Sequence, residues 1–279
     1  MPTLPPLPRV TARRYVQPLR EGGSLPAVVE TDDGLYVVKF RGAGQGPKAL
    51  VAELLVGRIA LLLGLPVPEL ALVDLPPPFG RSEPDPEIQD ILRRSHGLNV
   101  GLRYLDGAFN FDCSAAADVV TEDFAARLVW LDALVTNPDR THRNPNLLVW
   151  QRGPWMIDHG AALYAHHDWA SVTPDKIRSP FPLIENHVLL DHSDGIEQED
   201  AGLADALDDR ALAGVIGEVP DELLSGPEYA GEAGLGEIRA RYLHYLSTRL
   251  QSPRPFVAEA IEARARLRRM PLLPQSARR

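Results

Sequence analysis

The chain has 279 residues, 44% of them hydrophobic and 24% charged, the composition of a folded globular protein long enough to bury a large core. Lys and Arg number 29 against 38 Asp and Glu, so the net charge of −9 opposes any overall attraction to nucleic acid or an anionic membrane. Cys113 is the single cysteine, which excludes an intrachain disulfide and a thiolate zinc cluster and fits a reducing cytoplasm.

The opening MPTLPPLPRV has four prolines in its first eight residues and no continuous apolar run of the kind a signal peptide uses. It reads as an irregular lead-in. AVVE, a TDDG turn and LYVVKF then predict a β-hairpin over 27–40, with Lys39 near the end of its second strand. Leu50, Leu54, Leu55, Ile59, Leu62 and Leu63 recur at helical spacing and predict a helix from Lys48 to Leu63, ended by Gly64 and carrying Glu53. LALVDL, from Leu70 to Leu75, predicts a further strand. The apolar stretch Leu54 to Leu75 is interrupted by Arg58, Gly64, Pro66, Pro68 and Glu69, so it does not read as a membrane span.

Five prolines between Pro76 and Pro86 mark an exposed connection, followed by a short polar helix over Glu87 to Arg94. NVGLRYL predicts a strand from Asn99 to Leu105, and Asp106-Gly107 turns the chain out of it. This turn divides the sequence into residues 1–106 and 107–279. Thr121 can cap a helix whose first turn holds Glu122 and Asp123, as the helix dipole favours, and whose apolar face includes Phe124, Leu128, Leu131 and Val135. That helix leads into NPDRTHRN. Short strands over Leu147 to Trp150 and Trp155 to Ile157 flank a QRGP turn and bring Asp158 to a strand end. From about Asp200 to Arg269 the chain is Ala-, Leu- and Arg-rich with helical spacing, and its basic tail, Arg264 to Arg279, reads as a solvated helix face and a frayed end.

The chemistry concentrates in NPDRTHRN and IDHG. Asp139, Asn144 and Asp158 are three short-armed acceptors, the set that a Mg-nucleotide phosphotransferase needs. One carboxylate orients or takes the proton of an attacking hydroxyl, while an amide oxygen and a second carboxylate hold metal ions against phosphates. Asx-rich turns also cap their own backbone, but such a turn would not require IDHG downstream. Gly22, Gly23 and Ser24 could bring backbone amides onto a phosphate, or form a simple turn. His166-His167 reads as a pair of surface histidines.

Together, GGSLP, the lysine of VVKF, the glutamate of ALVAELL, NPDRTHRN and IDHG, in this order over roughly Gly22 to Gly160, resemble the HipA-like kinase family, related in fold to protein kinases and phosphatidylinositol kinases. The resemblance implies an α+β, two-lobed fold: a β-rich N-terminal lobe, a larger helical C-terminal lobe, and ATP with Mg2+ between them. It implies that Lys39 contacts the α- and β-phosphates and that Glu53 holds this lysine by an ion pair. Asp139 matches the catalytic aspartate, and Asn144 and Asp158 match the metal ligands. Arg140 and His142 are expected to orient the loop. Asn137-Pro138 precedes the aspartate where protein kinases carry His-Arg, and His159 stands where phenylalanine is common. Both departures fit the HipA-like and lipid-kinase branches better and leave the phosphoacceptor open.

The expected activity is ATP- and Mg-dependent phosphate transfer, with a protein Ser or Thr hydroxyl as the favoured acceptor by resemblance. A nucleotide-binding pseudokinase or scaffold and a small-molecule kinase are the alternatives. A regulatory protein partner is compatible with either. No basic recognition helix is present, so direct nucleic-acid binding is not expected, nor is a membrane location.

Overall fold

A computed structural model of the chain describes residues 4–19, 25–44, 46–77, 79–81, 83–226, 229 and 234–269. Five strands, β1 (Arg9–Pro18), β2 (Ala27–Thr31), β3 (Gly34–Lys39), β4 (Leu70–Leu75) and β5 (Gly97–Arg103), close into a barrel in the order β1-β2-β3-β5-β4. All neighbours are antiparallel except β1 and β4, whose parallel pairing of Arg9 with Leu72 and Val10 with Val73 shuts the barrel. The predicted hairpin is present, with Asp32-Asp33 at its tip. Thr31 Oγ1 accepts from the Asp33 amide and donates to the Gly34 carbonyl, both at 3.0 Å. Gly34 takes a φ of 109°, which a side chain would resist. Strand β1 gave no clear signal in the sequence because register shifts break its alternation between Ala12 and Arg14 and between Tyr15 and Gln17.

Helix α1 (Pro47–Leu62) crosses one outer face of the barrel. It is buried on nearly every side, which explains why its residues read as an apolar run rather than a stripe. A Cβ on Gly57 would stand 2.8 Å from Leu70 Cδ1, so glycine permits this close approach to β4. Past the helix, Gly64 at φ 72° reverses the chain while the Leu65 amide donates back to the Ala60 carbonyl at 2.9 Å. Helix α2 (Pro86–Arg94), capped by Asp85, turns Ile88, Ile91 and Leu92 onto the barrel interior, where Val10, Val29, Tyr36, Val38 and Val73 meet.

Beyond the barrel come β6 (Phe109–Asn110), α3 (Ala116–Val119) and α4 (Glu122–Leu134), then a hairpin of β7 (Leu147–Trp150) and β8 (Gly153–Met156). Thr121 caps α4 as expected, its hydroxyl accepting from the Phe124 amide at 3.2 Å. Strand β6 pairs with β7 to make a three-stranded sheet. Short helical turns lead through α5 (Pro174–Ile177) to α6 (Ile196–Ala206), α7 (Asp209–Gly217), α8 (Leu235–Leu250) and α9 (Pro255–Arg269).

One continuous core joins α1 and the outer face of β4 and β5 to α4 and the C-terminal helices. Each fully buried leucine or isoleucine there contributes about 1.5–3 kcal/mol relative to exposure. Arg58 of α1 reinforces this junction by gripping both carboxylate oxygens of Glu218, at 2.5 and 2.8 Å. The end of α9 keeps Arg266, Arg268 and Arg269 exposed, as a solvated face requires, while Arg268 pairs with Asp191 and Asp194 and Arg264 donates to the Ser193 carbonyl; the expected frayed end, 270–279, lies outside the described residues. No helix among the described residues is long and apolar enough to cross a membrane. The architecture is mixed α+β.

Candidate functional site

The barrel, α1 and the β6-β7-β8 sheet border a cleft of about 910 Å³. Its apolar walls include Val37, Leu102, Leu148 and Ile157, and its polar residues include Lys39, Asp139, Asn144, Asn146 and Asp158. Lys39, Asp139, Asn144 and Asp158, four of the residues singled out in the sequence, thus line one cavity. Gly22, Gly23 and Ser24 lie outside the described residues.

Lys39 sits at the end of β3, where the strand carries its side chain inward rather than to solvent, and it is 8% exposed. Its Nζ lies 2.6 Å from Glu53 Oε2 and 2.5 Å from Asp158 Oδ1. Burial alone would lower the lysine pKa, but the two carboxylates outweigh it and hold the value above its ordinary one. Burial likewise pushes Asp158 upward, and Lys39 more than cancels this and keeps the carboxyl below the usual range. Glu53, fully buried in α1, also accepts the backbone amide of His159 at 2.7 Å through the same oxygen, so it ties α1 to the IDHG segment.

Asp139 is held from two sides. Asn144 Nδ2 donates to its Oδ2 at 2.8 Å and Asn146 Nδ2 donates to the same oxygen at 3.0 Å. Asn146 was not anticipated. Its φ of 48° lies in the left-handed region that Asn tolerates, and the NPN spacing is its one trace in the sequence. With the amide nitrogens of Asn144 and Asn146 committed to Asp139, their carbonyl oxygens are the groups left to accept from a ligand or a cation. Asp158 also adopts a positive φ, 55°, at the exit from β8.

Beneath the cleft, Arg140 is 1% exposed and is surrounded by acceptors. Its Nε donates to Asp132 Oδ2 at 2.6 Å, Nη1 to the carbonyls of Asn146 and Ile157, and Nη2 to His159 Nδ1 at 3.3 Å. Arg140 therefore orients the loop, as expected. Asp132 was missed, because an acidic residue in an otherwise apolar helix carries no local sign of its partners. Its carboxyl would rise on burial, but Arg140 and His187 drive it far below the ordinary range. His159 is buried beside Arg140 and Lys39, and desolvation pushes its pKa down to about 4. The imidazole is neutral, and its Nδ1 accepts from Arg140.

His166 is not a surface histidine. The chain after IDHG turns inward, and His166 is wholly buried with Nδ1 at 3.0 Å from Tyr242 Oη, while His167 stays exposed. Among the described residues no group of three or more His, Cys, Asp or Glu side chains is placed to hold a metal ion unaided. Asp158 and Asn144, which both line the cleft, offer hard oxygens from a carboxylate and an amide. That set fits Mg2+, which keeps several waters and shares its coordination with substrate phosphates.

The described fold is similar to that of the proinflammatory kinase CtkA of Helicobacter pylori, with a TM-score of 0.54 and 14% identity over 95% of this chain and 100% of that one. No curated protein matches the sequence. The family model of HipA-like kinases matches residues 14–228, a span that includes β2 to β5 of the barrel, α1, the Asp139 loop and IDHG. The chain belongs to the HipA-like kinase family.

Proposed function

We propose that the chain transfers the γ-phosphate of ATP, with Mg2+, to a Ser or Thr hydroxyl of a protein. The observation that carries this reading is the position of Lys39 between Glu53 and Asp158, at 2.6 and 2.5 Å, in the same cleft as Asp139. With it goes the division into a β-rich lobe, residues 1–106, and a helical lobe, residues 107–279, with the nucleotide between them.

Lys39 supplies a buried positive charge for the α- and β-phosphates, and Glu53 fixes its direction. The apolar walls at Val37, Leu102, Leu148 and Ile157 suit a purine ring. Asn144 and Asp158 would hold the metal through oxygen. When bound, Mg2+ neutralises charge on the phosphate oxygens and on the leaving diphosphate. Asp139, fixed by Asn144 and Asn146, faces the acceptor. In the transfer, the acceptor oxygen forms a bond to the γ-phosphorus, the bond to the bridging oxygen of ADP breaks, and the acceptor proton passes to Asp139. Positioning and charge neutralisation do most of the work.

The test is transfer of labelled γ-phosphate to protein in a desalted lysate by wild type, Asp139→Ala and Asp158→Ala. Labelling of a protein band by wild type alone is the expected result. Mg-dependent nucleotide binding with no transfer to any protein would overturn the protein-kinase reading.

A further inference from the structure

Asp132 lies in α4 with no part of it in contact with solvent, and its side-chain hydrogen bonds run to Asn137, Arg140 and His187. Its two oxygens serve two different segments. Oδ1 accepts from Asn137 Nδ2 at 3.0 Å, and Asn137 Oδ1 accepts in turn from the backbone amide of Asp139 at 3.1 Å. Oδ2 accepts from Arg140 Nε at 2.6 Å and from His187 Nε2 at 3.0 Å. Of the remaining donors of Arg140, Nη1 serves the carbonyls of Asn146 and Ile157 and Nη2 the ring of His159, so the guanidinium reaches the residues on either side of Asp158 as well as the Asp139 loop.

His187 closes the arrangement from a distant part of the chain. Its Nδ1 accepts from the Leu189 amide, so Nε2 carries the hydrogen given to Asp132, and the Val188 amide donates to the Arg140 carbonyl. A buried ion pair of this kind gains little stability over a well-packed apolar substitute, because desolvating both charges offsets their attraction. What it supplies is a fixed geometry: a planar guanidinium and an amide, both aimed by one carboxylate, leave the two segments little freedom to move apart.

We propose that Asp132 is a positioning residue that sets Asp139 and Asp158 relative to one another, through Asn137 on one side and Arg140 on the other. The proposal rests on the phosphotransfer reading for its kinetic consequence. A displacement of about 1 Å between reacting groups can cost on the order of 100-fold in rate. Asp132→Asn keeps the side-chain volume but removes the charge and replaces one acceptor by a donor facing either Arg140 or Asn137.

The experiment compares wild type with Asp132→Asn and Arg140→Lys in steady-state kinetics and in backbone hydrogen exchange. In Asp132→Asn, kcat falls about 100-fold while KM for ATP stays near the wild-type value, the split expected when geometry rather than nucleotide binding is lost. Exchange quickens together over 137–146 and 157–160 and not in the barrel strands. Arg140→Lys, which keeps the charge but loses the fork, quickens 157–160 and leaves the Asp139 amide protected; it carries the test if Asp132→Asn does not fold. A kcat near wild type in Asp132→Asn, or exchange that quickens in only one of its two segments, overturns the proposal. If wild type transfers no phosphate, the phosphotransfer reading fails by itself, and the exchange pattern still decides whether Asp132 couples the two segments.

Discussion

Lys39 and Asp158, 119 residues apart in the chain, meet at 2.5 Å, so the end of a barrel strand and the end of the β7-β8 hairpin share one charge. Glu53 holds the same ammonium from the other side and is 1% exposed in its side chain. Replacing the lysine by methionine leaves a buried carboxylate without its cation. Breaking one member of a buried pair costs about 3–5 kcal/mol, so Lys39→Met is expected to lower the urea midpoint of unfolding markedly. Lys39→Arg is expected to lose phosphate transfer with a smaller loss of stability, and equal urea midpoints for the two variants would refute this account.

Asp139→Asn retains the shape of the side chain and an oxygen for Asn144 and Asn146, but it removes the proton acceptor. Transfer is expected to fall about 100-fold to 10,000-fold, the range that a positioned general base supplies. Nucleotide affinity, measured by calorimetry, is expected to stay near wild type.

The left-handed backbone of Asn146 separates two substitutions. Both Asn146→Gly and Asn146→Ala remove a hydrogen bond to Asp139, but alanine must also hold the φ of 48°, which costs about 1–2 kcal/mol more. Glycine is expected to be the more stable variant, and chemical denaturation of the pair measures the difference.

Arg249 of α8 is buried with no carboxylate paired to it among the described residues, and it donates to the carbonyls of Ala133, Leu134, Ile177 and Ser179. It thereby caps the C-terminus of α4, the helix that leads into the Asp139 loop. Arg249→Met leaves several buried carbonyls unsatisfied at about 1–3 kcal/mol each. A loss of several kcal/mol in urea unfolding is the expected outcome; a loss below 1 kcal/mol would mean that water replaces the guanidinium.

The acid limb of stability follows from Asp132 and Asp158, both of whose carboxyls are depressed in the fold. A depressed carboxyl contributes stability that is fully present above its unfolded pKa, near 4, and is lost as pH falls toward the folded value. The share of stability that these two carboxyls carry is therefore expected to drop as pH falls below about 4, after the loss that the depressed imidazole of His159 brings on from about pH 6.5 downward. Asp132→Asn should make this limb shallower, which thermal unfolding between neutral and strongly acidic pH can measure.

Much of the fold around the candidate site was legible because its residues lie in short, strongly patterned segments. The turn at Asp32-Asp33, the LALVDL strand, the Thr121 cap and the NPDRTHRN loop each carry local chemistry that a sequence displays directly. The inward path of Lys39 was not written in that local pattern. It follows from closure of the barrel against α1, which no single segment specifies. Asp132 and His187 were invisible for a related reason: they find each other across 55 residues, and an isolated acidic or histidine residue gives no sign of its partner. His166 was misread because a polar dipeptide between turns normally stays at the surface, and Tyr242 of α8 supplies the partner that makes burial tolerable.

The parallel pairing of β1 with β4 has a bearing on the order in which the chain can fold. Arg9 must wait for Leu72 before the barrel shuts, and Arg58 finds Glu218 only after another 160 residues have been made. During synthesis, strand β1 leaves the ribosome with its edge unpaired, and α1 emerges with an almost wholly apolar surface and no helix to cover it. Contacts so distant in sequence slow the folding reaction and prolong exposure of both surfaces. The nascent chain therefore keeps both surfaces open to aggregation until the residues around Glu218 have been made.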